Sequence, residues 1–118
     1  MAKVYGLHTI ELRPGVSEAD FERACAELAR LPMVEGWSLH FLKGDRGERS
    51  GKYLLLWEIE SVAARDRYIS ALNQLSAEAE QFMREHPELG AAFDKLNTFT
   101  TTQHAVNMPF TDYVEVGG

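Results

Sequence analysis

An α+β fold of order β-α-β-β-α-β is what this 118-residue sequence predicts, and three observations carry the prediction. Apolar and polar side chains alternate every second residue over 3–12, 36–43 and 52–60, then switch to helical spacing over 18–31 and again from 62. Pro-Gly, Gly-rich and Ser-led stretches punctuate those switches. The third strand is apolar on both sides through most of its length, which places it centrally in a sheet. The expected product is the ferredoxin-like arrangement, a four-stranded antiparallel sheet with its helices on one face.

The elements follow in order. In VYGLHTIELRPG (4–15), Val4, His8, Ile10 and Leu12 share one side of a strand, and Tyr5, Leu7, Thr9 and Glu11 share the other. Pro14-Gly15 ends it. Ser17, with Asp20 three residues on, supplies an N-cap close to a capping box. The helix behind it carries Phe21, Ala24, Cys25, Leu28 and Leu31 on one stripe, and Pro32 stops it. In GWSLHFLK (36–43), Trp37, Leu39 and Phe41 oppose Ser38, His40 and Leu42. A charged, Gly-rich hairpin loop (44–51) leads into KYLLLWEIE (52–60), with Tyr53, Leu55, Trp57 and Ile59 on one side and Leu54 and Leu56 on the other. Ser61 caps a second helix whose stripe is Val62, Tyr68, Ile69, Leu72 and Leu75. The helical pattern resumes over 76–83, breaks near Pro87 and restarts with Leu89, Phe93 and Leu96. The β-branched run TFTTTQHAV (98–106) predicts the fourth strand, and the tail 107–118 is apolar enough to dock on the rest. Residues 1–118 are thus expected to be a single domain, with a core over about 3–106.

Composition excludes several functions. The formal net charge is −6 and the 12 basic residues are scattered, so no nucleic-acid surface is expected. No apolar run approaches the roughly 20 residues that span a bilayer, and the N-terminus lacks a signal-peptide layout. A cytoplasmic protein is expected. Cys25 is the one cysteine, so no intrachain disulfide forms, and its place on the helical stripe makes it a packed thiol. The sequence holds no GxSxG, P-loop or GxGxxG, and no histidine pair has HxxxH spacing, so neither metal nor cofactor is expected. The sheet face opposite the helices would carry Tyr5, Leu7, Leu42, Leu54 and Leu56. Soluble monomers rarely expose such a patch, so a homodimer closed sheet to sheet is expected.

ELRPGVSEADFE (11–22), ESVAARDRYI (60–69) and EHPELGAAF (85–93) together resemble the dimeric α+β-barrel superfamily, most of all the stress-responsive A/B-barrel domains and their small polyketide-cyclase relatives. Antibiotic-biosynthesis-type monooxygenases and EthD-like proteins share that architecture. The resemblance implies a dimeric barrel with a pocket between sheet and helices. It matches Tyr68 to a pocket tyrosine and His86 to the first histidine of an HPxH motif. The second histidine of that motif falls on Leu89. The family's first-strand histidine falls on Gly6, two residues before His8 and on the same face.

The candidate pocket residues are therefore His8, Trp37, Trp57, Tyr68 and His86, and no catalytic residue is assigned. Two tryptophans, a tyrosine and a histidine converging on an apolar space compose a small-molecule pocket. They equally compose an aromatic core in which His8 is hydrogen-bonded to protein. One reading is a protein that binds a small apolar or aromatic metabolite and acts on it as a cofactor-independent cyclase or monooxygenase would. The other is a non-catalytic homodimeric module with structural histidines. His40 is expected at the dimer interface, and the facing of His104 is open.

Overall fold

The computed structural model describes residues 2–72, 74–101 and 110–117. Strands β1 (Val4–Ile10), β2 (Trp37–Lys43), β3 (Tyr53–Ile59) and β4 (Phe110–Val114) form one antiparallel sheet in the order β2-β3-β1-β4. The helices are α1 (Glu18–Ala29), α2 (Val62–Asp66), α3 (Ala77–Glu85) and α4 (Pro87–Asn97). The fold is α+β and ferredoxin-like, with β3 and β1 central.

Register decides which side chains meet. Gly6 stands opposite Trp57, His8 opposite Leu55, and Leu39 opposite Trp57. Paired residues share a face. Val4, Gly6, His8 and Ile10 therefore lie with Trp37, Leu39, Phe41 and the odd-numbered residues of β3 beneath the helices. The even-numbered set of β3 lies with Leu7 and His40 on the other face.

Helix α1 begins at Ser17, whose Oγ accepts from the Asp20 amide at 3.2 Å. Glu18 and Asp20 add negative charge where the helix dipole is positive. Its inner face buries Phe21, Ala24, Cys25 and Leu28 against Ile10, Leu39, Tyr53 and Leu55. Full burial of each large side chain there contributes about 1.5–3 kcal/mol. Lys95 on α4 pairs with Glu27 on α1 at 3.2 Å, tying the two helices side by side. Burial, with Glu22 adding to it, pushes the Cys25 thiol up to about 12, so it is protonated and inert.

Two expectations are corrected. The second helix is five residues long and does not run on to Leu75. Of its expected stripe, Tyr68 is buried, whereas Val62, Leu72 and Leu75 are exposed. Ser70 is the reason: its Oγ accepts from the amides of Leu72 and Gln74, at 3.2 and 3.1 Å, and its own amide donates to the Gln74 carbonyl. The serine offers the backbone a turn in place of a helix. The fourth strand is likewise displaced into the expected tail, as Phe110–Val114. Of the expected strand 98–106, Thr100 bridges Leu12, and the Phe99 carbonyl accepts from Arg13. Residues 102–106, with His104, lie outside the described residues. Leu12, two residues past the end of β1, is four residues from His8, but their partners Thr100 and Phe110 are ten apart, so the two pairings do not belong to one unbroken ladder.

The face away from the helices presents Tyr5, Leu7, Leu54 and Leu56 half-buried, with Leu42 and Tyr113 exposed. Across it, His40 Nε2 stands 3.1 Å from Glu58 Oε1, and Lys3 donates to Glu58 at 2.6 Å. Among the described residues, no helix is long and apolar enough to cross a membrane.

Candidate functional site

Beneath the short helix α2, the sheet is incompletely covered. Two adjoining cavities of about 540 and 460 Å³ open there, sharing His8, Trp37, Trp57 and Ile69 as walls. Both walls are mainly apolar, but Arg65, Asp66 and Asp112 gather in the first, the polar cavity, and the second is the more apolar.

The polar cavity is built by β4. Its register sets Phe110 opposite His8 and Asp112 opposite Gly6. The Phe110 ring stacks on the His8 imidazole, with centroids 5.4 Å apart and planes 17° apart. Gly6 leaves room for what surrounds it. A Cβ at that position would stand 3.0 Å from Asp112 Oδ1, 3.6 Å from Trp57 Cβ and 3.9 Å from His8 Nε2. Carboxylate and imidazole thus converge on the space above a missing side chain. From α2, Arg65 closes the group: its Nη1 donates to Asp112 Oδ2 at 3.3 Å and its Nε to Asp66 Oδ1 at 3.1 Å. Burial lowers the His8 pKa from the usual 6.5, and the Asp112 charge pulls it the other way. Burial is the larger effect, so His8 is mainly neutral at pH 7 and can accept a proton.

The apolar cavity runs under α3 and α4. Trp37 and Trp57 meet edge to face at 5.3 Å, Trp37 and Tyr68 at 6.3 Å, and Phe93 lies 6.5 Å from Trp57. The Trp37 indole donates to the Ala64 carbonyl at 3.0 Å. Its polar edge is therefore engaged by α2, and its ring faces the cavity. Tyr68 is 5% exposed, and its hydroxyl makes no hydrogen bond among the described residues. A buried hydroxyl left unpaired costs about 1–3 kcal/mol, so an acceptor brought by a ligand or water would be favoured there.

Four of the five candidate residues, His8, Trp37, Trp57 and Tyr68, stand around this cleft. His86 stands apart, between α3 and α4. Its Nδ1 is 3.0 Å from the Phe82 carbonyl, and its ring stacks on Phe82 at 4.2 Å. Pattern reading did not single out Arg65, Phe110 or Asp112. Alternation in FTDYV does place Asp112 in phase with Phe110 and Val114, the same anomaly that singles out His8 on β1. Among the described residues, no three His, Cys, Asp or Glu side chains group as metal ligands would.

No protein-family model matches the sequence, and no curated protein matches it. Solved structures do share its fold. A dimeric protein of unknown function with a ferredoxin-like fold from Bacteroides fragilis superposes with a TM-score of 0.52 at 14% identity, covering 94% of each chain. A candidate antibiotic biosynthesis monooxygenase from Chloroflexus aurantiacus superposes at 0.53 with 13% identity, covering 98% of this chain and 95% of that one. These likenesses show a shared ferredoxin-like α+β fold.

Proposed function

We propose that residues 1–118 form a cytoplasmic, single-domain, homodimeric α+β-barrel protein that binds a flat, mainly apolar small molecule in the cleft beneath α2. The observation that carries this reading is the hollow itself. Aromatic faces line one part and a His8-Asp112-Arg65 group lines the other, an arrangement suited to hold a ring system and orient its one polar end. His8, neutral and beside a carboxylate, is placed to take a proton from the bound molecule. Cofactor-independent cyclisation and oxygenation both begin with such a removal, and the Chloroflexus neighbour bears the name of a monooxygenase. Dimerisation through the Leu7/Leu54/Leu56 face would cover the apolar patch that a monomer exposes.

A thermal-shift panel of flat aromatic and polyketide-like compounds, run on the wild type and His8→Ala, tests the binding reading. A ligand at about 100 times its Kd adds about 2.7 kcal/mol of stability. That gain should be lost in His8→Ala. Wild-type stabilisation by no compound would overturn it. Sedimentation tests the dimer: the wild type should run at twice the 13.3 kDa chain mass, and Leu56→Glu as a monomer. A wild-type monomer would overturn that part. A second reading, a non-catalytic dimerisation module, draws support from His40 and His86, both engaged by protein groups away from the cleft.

A further inference from the structure

The charges around the cleft point to the class of ligand, resting on the reading that the cleft binds a small molecule. Among the described residues, four charged side chains line the two cavities: Arg65, Asp66, Asp112 and Asp94. Arg65 stands between two of the carboxylates, at 3.1 Å from Asp66 and 3.3 Å from Asp112, so its positive charge is already matched. Arg65 is three-quarters buried, so water does little to replace those partners. A carboxylate or phosphate entering the polar cavity would meet two acids competing for the same guanidinium. Arg65 also repels a cation, but among the described lining residues three carboxylates stand against that one guanidinium, so the balance of charge favours the cation.

The aromatic walls add a second, independent preference. Trp37, Trp57 and Tyr68 meet edge to face, with interplanar angles of 73° and 86°, so differently oriented ring faces bound one space. The face of an aromatic ring carries the negative part of its quadrupole, and a positively charged nitrogen over it is attracted. The Trp37 N–H is bound to Ala64, so it is not available to donate to an anionic ligand. Histidine offers no positive charge either, because His8 is mainly neutral.

We infer that the cleft takes an organic cation: a flat apolar body bearing a protonated amine, held over the aromatic faces with its nitrogen near Asp112. Asp112 fills the space above Gly6 and keeps about a quarter of its side chain exposed on the cavity wall, within reach of such a nitrogen.

Isothermal titration of the full-length protein at pH 7 with three probes of matched shape tests the inference: 2-(1-naphthyl)ethylamine, 1-naphthaleneethanol and 1-naphthylacetate. The amine should bind about tenfold tighter than the alcohol, and the acid weaker still. Asp112→Asn should cut the amine's advantage over the alcohol to about threefold or less and strengthen the acid by freeing Arg65. Arg65→Gln should leave the amine bound at least as tightly as in the wild type. Circular dichroism and the melting transition of each variant establish that it is folded. Equal binding of amine and alcohol, or preference for the acid, overturns the charge inference while leaving the cleft as a binding site. Failure of all three probes to bind the wild type overturns the charge inference and counts against the cleft reading as well.

Discussion

One side of one sheet is covered in two different ways. At the end formed by Ile10, Tyr53 and Leu55, the 12-residue helix α1 lays Phe21 and Leu28 flat on the strands, and both are fully buried. Phe21 meets Tyr53 and Phe99 edge to face at 4.8 and 6.0 Å, so sheet and helix are in direct ring contact. At the end formed by Val4, Trp37 and Trp57, the five-residue α2 reaches too short a distance to do the same. Its place is taken by a turn anchored on Ser70, and a hollow opens. Aromatic residues occupy both ends in similar number. What separates core from cleft is the length of the covering helix.

Substitutions at the two ends should therefore behave differently, and the largest contrast is in stability. Phe21→Ala should cost about 3–5 kcal/mol in urea unfolding, because α1 cannot collapse into the space it leaves. Trp57→Leu should cost only about 1–2 kcal/mol, because its ring already borders a void, and should weaken cleft ligands instead. Similar stability losses for the two would erase the distinction.

A smaller effect separates the ends by pH. His8 in the folded chain binds its proton at a lower pH than the usual 6.5, whereas the unfolded chain binds it at 6.5. The unfolded state thus holds more protons just below 6.5, and stability falls as the pH drops through that window. His8→Gln should flatten the fall between pH 7.5 and 5.5 in urea titrations. Exposed Glu18, Glu58 and Glu78, held below 4.5 by Lys43, Lys3 and Arg67 respectively, lose their contribution only at lower pH. An unchanged profile in His8→Gln would mean that His8 is not the group responsible. Smallest of all, Gly6→Ala should change stability by about 1 kcal/mol or less. The new methyl would stand 3.0 Å from Asp112 and tighten the polar cavity, so ligand affinity should drop by more than stability does.

The packed end was the more legible in sequence. Ser17, the Phe21-Ala24-Cys25-Leu28 stripe and the two-residue alternation of the first three strands are local signals, and the structure follows them. The hollow end depends on facts that periodicity does not hold. Helical spacing continues past Tyr68, but one serine hydroxyl outweighs it. TFTTTQHAV and FTDYV are both credible strands, and the edge of β1 pairs with the second over Val4–His8. Misplacing that strand hid Asp112, and with it the partner that Arg65 meets across the cleft. His8, Trp37, Trp57 and Tyr68 were visible because each sits in phase with apolar neighbours. His86 was carried by resemblance to a histidine motif, and the fold sets it against Phe82.

The most direct test of the account is a crystal soaked with a brominated naphthylethylamine and measured at the bromine absorption edge. The account predicts an anomalous peak between Trp57 and Tyr68, with the amine density reaching Asp112. A peak confined to the Leu7/Leu56 face, or a cleft without one at full occupancy elsewhere, would contradict it.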